Sequence, residues 1–247
     1  MASLTKVLLT EIATTIARPS RLLNVFSARH WTIWAGFNRT QLATPDTWAK
    51  AGDGTSGRQY DGYGQYIAHQ TSILGLIDLT DYDKAFRPAL KERIERNGLA
   101  HCRDAVLCLA ARIGTEVKAF RDIGCFAVGT DINNRPGDPC VLYGDFQKIE
   151  FPDGSADVVY TNSMDHVYDV QRVLSEIARV LRPSGTFVLE IAHGGKHGIE
   201  PGPYEAFWWE SIDDLAAIVE RHGFAPVLSE PFEIPYPGEM RVFRRRE

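Results

Sequence analysis

Residues 105–131 read AVLCLAARIGTEVKAFRDIGCFAVGTD, and this stretch decides the fold. Ala105 to Leu109 is a short continuous apolar run, the pattern of a strand buried on both faces of a parallel sheet. Ala110 to Thr115 holds small residues and Gly114, so a sharp turn is expected there. Glu116 to Ile123 reads as a helix with Val117, Phe120 and Ile123 on its apolar side, and Gly124 stands where a helix end favours a left-handed residue. Cys125 to Gly129 is a second apolar strand, ending at Asp131. Two parallel strands joined by a helix make a right-handed crossover, and ligands bind at the carboxyl ends of such strands. A carboxylate about 20 residues after the loop suits a nucleoside, because it can grip ribose hydroxyls.

Working outward, strand and helix alternate as far as residue 192. Val141 to Tyr143 is a brief third strand, and Ala156 to Tyr160 a fourth, leading into Thr161-Asn-Ser-Met-Asp-His166. Val170, Val173, Leu174, Ile177 and Leu181 share one helical face. Arg182-Pro-Ser-Gly185 should stop that helix and turn the chain into a fifth strand, Thr186 to Ala192. Ser211 is a plausible N-cap for a helix ending near Gly223, with Asp213 and Asp214 placed to suit its dipole. Two last strands, Pro226–Phe232 and Met240–Arg244, are joined by a short link and are expected to pair antiparallel.

Upstream, Phe86 to Asn97 reads as a helix closed by Gly98. Residues 1 to about 50 carry amphipathic, basic, aromatic segments, with Pro19 breaking the first helix and Trp31, Trp34, Phe37 and Trp48 expected to bury. Their expected role is packing on their own domain or on a second copy as a homodimer; a membrane-surface role is the alternative. After a flexible loop at 51–57, Tyr63, Tyr66 and Gln70 share one helical side, and Tyr66, His69 and Gln70 are candidates for a lid. The organisation expected is a helical N-terminal extension and lid over 1–98 and a ligand-binding α/β domain over 99–247.

Composition narrows the function classes. The chain has 247 residues and a net charge of −5, which does not favour a nucleic-acid partner. Its four cysteines form no CxxC pair and two lie in strands expected to be buried, so they read as small buried hydrophobes in a reducing compartment. No apolar run is long enough to cross a bilayer and no export signal is read, so stable membrane insertion is not expected and the cytoplasm is the default location.

At this point the pattern resembles a class I S-adenosylmethionine-dependent methyltransferase, over about residues 100–245. The resemblance implies a doubly wound, mostly parallel, seven-stranded Rossmann-like sheet with S-adenosyl-L-methionine as cofactor. The family's first motif is an acidic residue followed by alternating glycines. Here it reads Cys108-Leu-Ala-Ala-Arg-Ile-Gly114, so Cys108 replaces the acid, Ala110 and Arg112 replace glycines, and only Gly114 remains. This is similar to a branch of small-molecule and glycan methyltransferases with a Cys-Leu-Gly-Ala-Arg form. The resemblance further implies that Asp131, followed by Ile132, binds both ribose hydroxyls. Gly144-Asp145-Phe146 would receive the adenine, with Asp145 accepting from the amine and Phe146 covering the ring. Asn162 would stand beside the sulfonium. Leu181-Arg-Pro-Ser-Gly185 is similar to the family's LRPGG turn.

The activity expected is O-methylation of a hydroxyl on a sugar, glycan or small natural product. A hydroxyl acceptor needs its proton removed, and His166, oriented by Asp165, is the candidate base. His193 and His197 compete for that role. With Glu190 and Asp165 they are also weak metal candidates, although no metal is expected. Glu200-Pro-Gly-Pro-Tyr204 and Phe207-Trp-Trp209 form an aromatic insertion that would stack on a sugar or join the core. The rivals are an N-methyltransferase, a non-catalytic scaffold with this fold, and a nicotinamide-dependent dehydrogenase. The last requires a GxGxxG turn that residues 108–114 lack.

Overall fold

The computed structural model describes residues 46–72, 79–133 and 139–246. Residues 1–45, most of the basic N-terminal segment, lie outside these. The described residues fall into two compact units, one comprising 46–49 and 58–72, the other 50–57 and 79–246.

The first unit contains the helix α1, Tyr63–Thr71. Tyr66, His69 and Gln70 are its buried residues. Tyr60 packs edge-on to Tyr66, and its hydroxyl lies 2.9 Å from His69 Nδ1.

The second unit is built on a seven-stranded sheet. Its strands are β3 (Ala105–Leu109), β4 (Phe126–Asp131), β5 (Val141–Tyr143), β6 (Ala156–Thr161), β7 (Leu181–Ala192), β9 (Phe224–Phe232) and β10 (Gly238–Arg245). The order is β5-β4-β3-β6-β7-β10-β9, and β10 runs antiparallel between β7 and β9. The other pairings are parallel. This is the doubly wound Rossmann-like sheet expected from the strand–helix alternation. Two earlier short strands, β1 (Trp48–Lys50) and β2 (Thr55–Arg58), precede it, and β2 pairs with β8 (Phe207–Trp209) through Thr55–Gly57.

Both faces of the sheet are covered, which is why its strands read as unbroken apolar runs. Side chains alternate between faces. Leu107, Leu109, Val159, Phe187 and Leu189 join the cluster under α4 (Val170–Val180) and α5 (Ile212–Arg221). Val106, Cys108, Val158, Tyr160 and Val188 join the opposite cluster, with Phe86, Leu90 and Ile94 of α2 (Thr80–Asn97) and Val117 and Phe120 of α3 (Thr115–Asp122). Asp169 caps α4, and Ser211 with Asp214 forms a reciprocal capping box on α5.

Two boundaries differ from the sequence reading. α2 begins six residues before Phe86, at Thr80, through a charged stretch that shows no apolar periodicity. β7 begins at Leu181, so Arg182–Gly185 is a kink inside the strand. Ser184 has φ 59°, and the pairing to β6 jumps from Ala156↔Leu181 to Val158↔Thr186.

Candidate functional site

The loop after β3 fixes the site. Ala110, Arg112 and Gly114 all have positive φ, at 54°, 44° and 70°. These are the positions where the family's glycines stand, so at Ala110 and Arg112 the glycine-type backbone path is kept by residues that have a Cβ. Each such residue costs about 1–2 kcal/mol in a left-handed conformation. The path is held from β4: Ala111 N donates to Thr130 O at 3.1 Å, and Arg112 N to Asp131 Oδ2 at 2.9 Å. Ala110→Gly should therefore raise folding stability by about 0.5–1 kcal/mol, the strain relieved exceeding the added freedom of the unfolded chain; an unchanged or lower urea midpoint would contradict this. Gly114 is fixed for a further reason, since a Cβ there would lie 3.0 Å from Cys140 Cβ and 3.1 Å from Val141 Cγ2.

Asp131 closes β4 and is buried. Its other oxygen accepts from Asn133 N at 2.6 Å. Ile132 follows, half-buried. Gly144 N donates to the main-chain oxygen of Asp131 at 3.2 Å, which sets the start of the Gly144–Phe146 segment beside the end of β4. A Cβ on Gly144 would stand 2.9 Å from Thr130 Cβ. Asp145 Oδ1 accepts from Gln147 N at 2.8 Å. Phe146 belongs to the core cluster under α4, so its ring is committed to packing.

Ala110, Arg112 and Asn162 line a cavity of about 340 Å³ at the carboxyl ends of β3, β6 and β7. Sequence reasoning missed four of its most informative walls, Tyr82, Glu116, Glu205 and Tyr236, whereas Trp208 belongs to the aromatic insertion read from the sequence. Asn162 Nδ2 donates to Tyr82 Oη at 3.1 Å and makes a longer contact, 3.5 Å, to Glu116 Oε1. Tyr236 Oη donates to Asn162 O at 3.4 Å. Glu116 Oε2 is buried and accepts no hydrogen bond. Burial pushes the Glu116 carboxyl up to about 7; its own backbone N–H and Arg112 oppose the shift, and Glu190 and Asp131 add to it.

Asp165 and His166 sit in a short 3-10 turn after β6, at the cavity wall. Arg112 Nη2 lies 3.1 Å from His166 Nε2, and a guanidinium only donates, so Nε2 is the acceptor. His166 Nδ1 then carries the proton and donates to Tyr204 O at 3.3 Å. Burial and the Arg112 charge hold the imidazole well below its ordinary pKa, so the ring is neutral near pH 7. Asp165 Oδ1 stands 3.8 Å from Nε2, the nitrogen without a proton. The ring is thus oriented by Tyr204 and Arg112. Asp165 keeps about a quarter of its side chain exposed (24%), but its Oδ1 is buried without a hydrogen bond, and burial lifts its pKa to about 6.

The remaining candidates divide. His193 and His197 stack at 4.1 Å between ring centres. Glu190 is engaged elsewhere, by Arg93 and Tyr160. Among the described residues, no group of three or more His, Cys, Asp or Glu side chains is placed to hold a metal ion. The aromatic insertion alternates as a strand does. Phe207 and Trp209 enter the core, whereas Trp208 lines the cavity with a buried Nε1 that has no partner.

Residues 107–189 match a protein-family model described as a methyltransferase domain. The match spans about a third of the chain and runs from β3 into β7 of the seven-stranded sheet. Among curated proteins, the chain is 27% identical over 121 residues to sterol 4-C-methyltransferase strm-1 of Caenorhabditis elegans, covering 43% of this chain and 35% of that protein. The chain therefore spans about a third of that relative's length. Among solved structures, the 1,6-didemethyltoxoflavin-N1-methyltransferase of Burkholderia thailandensis, with 1,6-didemethyltoxoflavin and S-adenosylhomocysteine bound, is 17% identical over 81% of this chain and 99% of its own, with a TM-score of 0.58. The PH0226 protein of Pyrococcus horikoshii OT3 is 20% identical over 64% of this chain and 91% of its own, with a TM-score of 0.52. At these identities the structural likeness speaks for the methyltransferase fold.

No described helix is long and apolar enough to cross a membrane. The four cysteines are free, with Cys108 and Cys125 buried and Cys102 exposed.

Proposed function

We propose that this protein is an S-adenosyl-L-methionine-dependent O-methyltransferase acting on a hydroxyl of a sugar, glycan or small natural product. The observation that carries this reading is the cavity bounded by the left-handed 110–114 loop and the 162–166 turn, with Asp131 tied to that loop. The cavity wall suits the donor chemically. Buried acceptors at Glu116 and Asp165 match cationic groups, and Arg112 and Trp208 Nε1 match a carboxylate. Asp131, with acceptor capacity left after two backbone bonds, would hold the ribose hydroxyls, and Gly144 and Asp145 the adenine. The bound donor supplies an already activated methyl group, so the protein's work is alignment, exclusion of water and removal of one proton.

His166 is the proton acceptor in this reading. Its neutral ring keeps a lone pair on Nε2, and the bond to Tyr204 O fixes the tautomer. A neutral amine needs no strong base, so a small-molecule N-methyltransferase is the second reading; the terminal Arg112 contact on Nε2 favours it, because that lone pair is shared. The lid role of Tyr66, His69 and Gln70, the N-terminal extension over 1–98 with its homodimer, and a cytoplasmic location are parts of the same proposal.

The test is calorimetric titration with S-adenosylhomocysteine, followed by labelled methyl transfer to hydroxyl and amine acceptors. Binding with a thermal shift is expected. No heat and no shift would overturn the reading in favour of a scaffold. His166→Ala is expected to lower turnover of hydroxyl acceptors by about 100-fold or more while leaving S-adenosylhomocysteine affinity within a few-fold. An equal rate in the variant would point to the amine.

A further inference from the structure

We propose that Glu116 is the counter-charge for the cationic end of the bound nucleoside donor, in place of the acid that the first motif lacks at Cys108. This rests on the methyltransferase reading above.

Cys108 is buried on β3 and faces the α2–α3 cluster, and burial drives its thiol well above its ordinary pKa, so it presents no negative charge. Glu116, in the first turn of α3, is 5% exposed and lines the cavity. One of its oxygens touches Asn162; the other faces no protein donor. Burying an ionised carboxylate with one oxygen left without a donor is costly, and a proton or a cationic ligand relieves that cost. A second feature of the same cavity points to a ligand independently. Trp208 is 8% exposed and its Nε1 is buried, again without a partner. With Arg112 it gives the same cavity donors as well as an unsatisfied acceptor, the complement of an amino-acid end that carries both signs.

The pH dependence follows from the groups around Glu116. Arg112 on the loop favours ionisation, whereas Asp131 on β4 and Glu190 on β7 oppose it. Tyr82 on α2, Cys108 on β3 and Tyr160 on β6 are neutral near pH 7, all raised by burial and by Glu116 itself. With the free carboxyl raised to about 7, binding a cation below that pH must expel a proton, so affinity falls as pH falls.

The experiment is calorimetry on the full chain with S-adenosylmethionine, S-adenosylhomocysteine and 5′-methylthioadenosine, at pH 6 and 7.5, for the wild type and Glu116→Gln. Wild-type affinity for S-adenosylmethionine should drop about tenfold from pH 7.5 to 6. Glu116→Gln should weaken it about tenfold or more at pH 7.5 and abolish that pH dependence, with 5′-methylthioadenosine within twofold. Loss for S-adenosylmethionine alone identifies the sulfonium as the cation; equal loss for S-adenosylhomocysteine identifies the ammonium. A variant that binds S-adenosylmethionine within twofold of wild type overturns the role of Glu116 and leaves the methyltransferase reading standing. A wild type that binds none of the three overturns the reading itself. Should Glu116→Gln fail to fold, Glu116→Met is measured at pH 7.5 in its place, and an affinity for S-adenosylmethionine within twofold of wild type overturns the proposal.

Discussion

Glu190→Ala is expected to cost about 3–5 kcal/mol of folding stability, enough to leave the second unit largely unfolded at moderate urea. Glu190 lies on β7 with its side chain on the α2–α3 face of the sheet, where Val188 and Tyr160 are otherwise buried. Arg93 of α2 donates from Nε to Glu190 Oε1 at 2.8 Å, and its Nη2 lies 2.7 Å from the same oxygen as a charge contact outside hydrogen-bond geometry. Tyr160 Oη donates to Oε2 at 2.9 Å. The guanidinium also lies over the Phe232 ring, 4.8 Å from its centre, and 5.8 Å from that of Phe86. Both charged side chains are almost fully enclosed, so removing one leaves the other buried and unpaired. That penalty, rather than the worth of the pair, sets the size of the loss. It follows that Arg93→Met with Glu190→Leu should recover most of it. Urea midpoints of the two single variants and the double variant measure this. Single variants within about 1 kcal/mol of wild type, well short of the loss from an unpaired buried charge, would show that water reaches the site.

The same residue shows what the sequence could and could not disclose. The run from Thr186 to Ala192 places Phe187, Leu189 and Ile191 on one face and Val188 and Glu190 on the other. A carboxylate on a doubly buried strand needs a partner, but that partner is 97 residues away on a helix. Short-range patterns carried the sheet well: the apolar runs of β3, β4 and β6, Gly124 after α3, and the antiparallel final pair all follow from local chemistry. The site was only partly legible. Asp131 announced itself by its place at a strand end. Arg112 stood out only as a first-motif position where a glycine is replaced; that its side chain reaches His166 across the loop was not legible. The expectation that Asp165 orients His166 came from their adjacency in sequence, whereas a turn places the carboxylate beside the wrong nitrogen and the carbonyl of Tyr204 beside the right one. Tyr82 was hidden because α2 starts in a charged stretch.

Asp131→Asn is the sharpest test of the nucleoside site. Each carboxylate oxygen accepts one backbone N–H, from Arg112 and from Asn133. An asparagine has one acceptor oxygen, so its amide nitrogen must face one of those N–H groups, and that donor loses its partner. The loop path through Arg112 or the turn at Asn133 is therefore loosened, even though the side chain has nearly the same shape. Charge-assisted hydrogen bonds contribute about 1.5–3 kcal/mol each. Losing the charge toward the ribose hydroxyls should weaken S-adenosylhomocysteine binding by about 100-fold, the equivalent of about 2.7 kcal/mol. Two readouts separate the effects. The melting temperature without ligand reports the loosened loop, and the further rise on adding S-adenosylhomocysteine reports the site. A lowered melting temperature with a nearly absent ligand-induced rise is expected. If the rise is as large as in wild type, Asp131 supports the loop alone and the nucleoside is held by other groups.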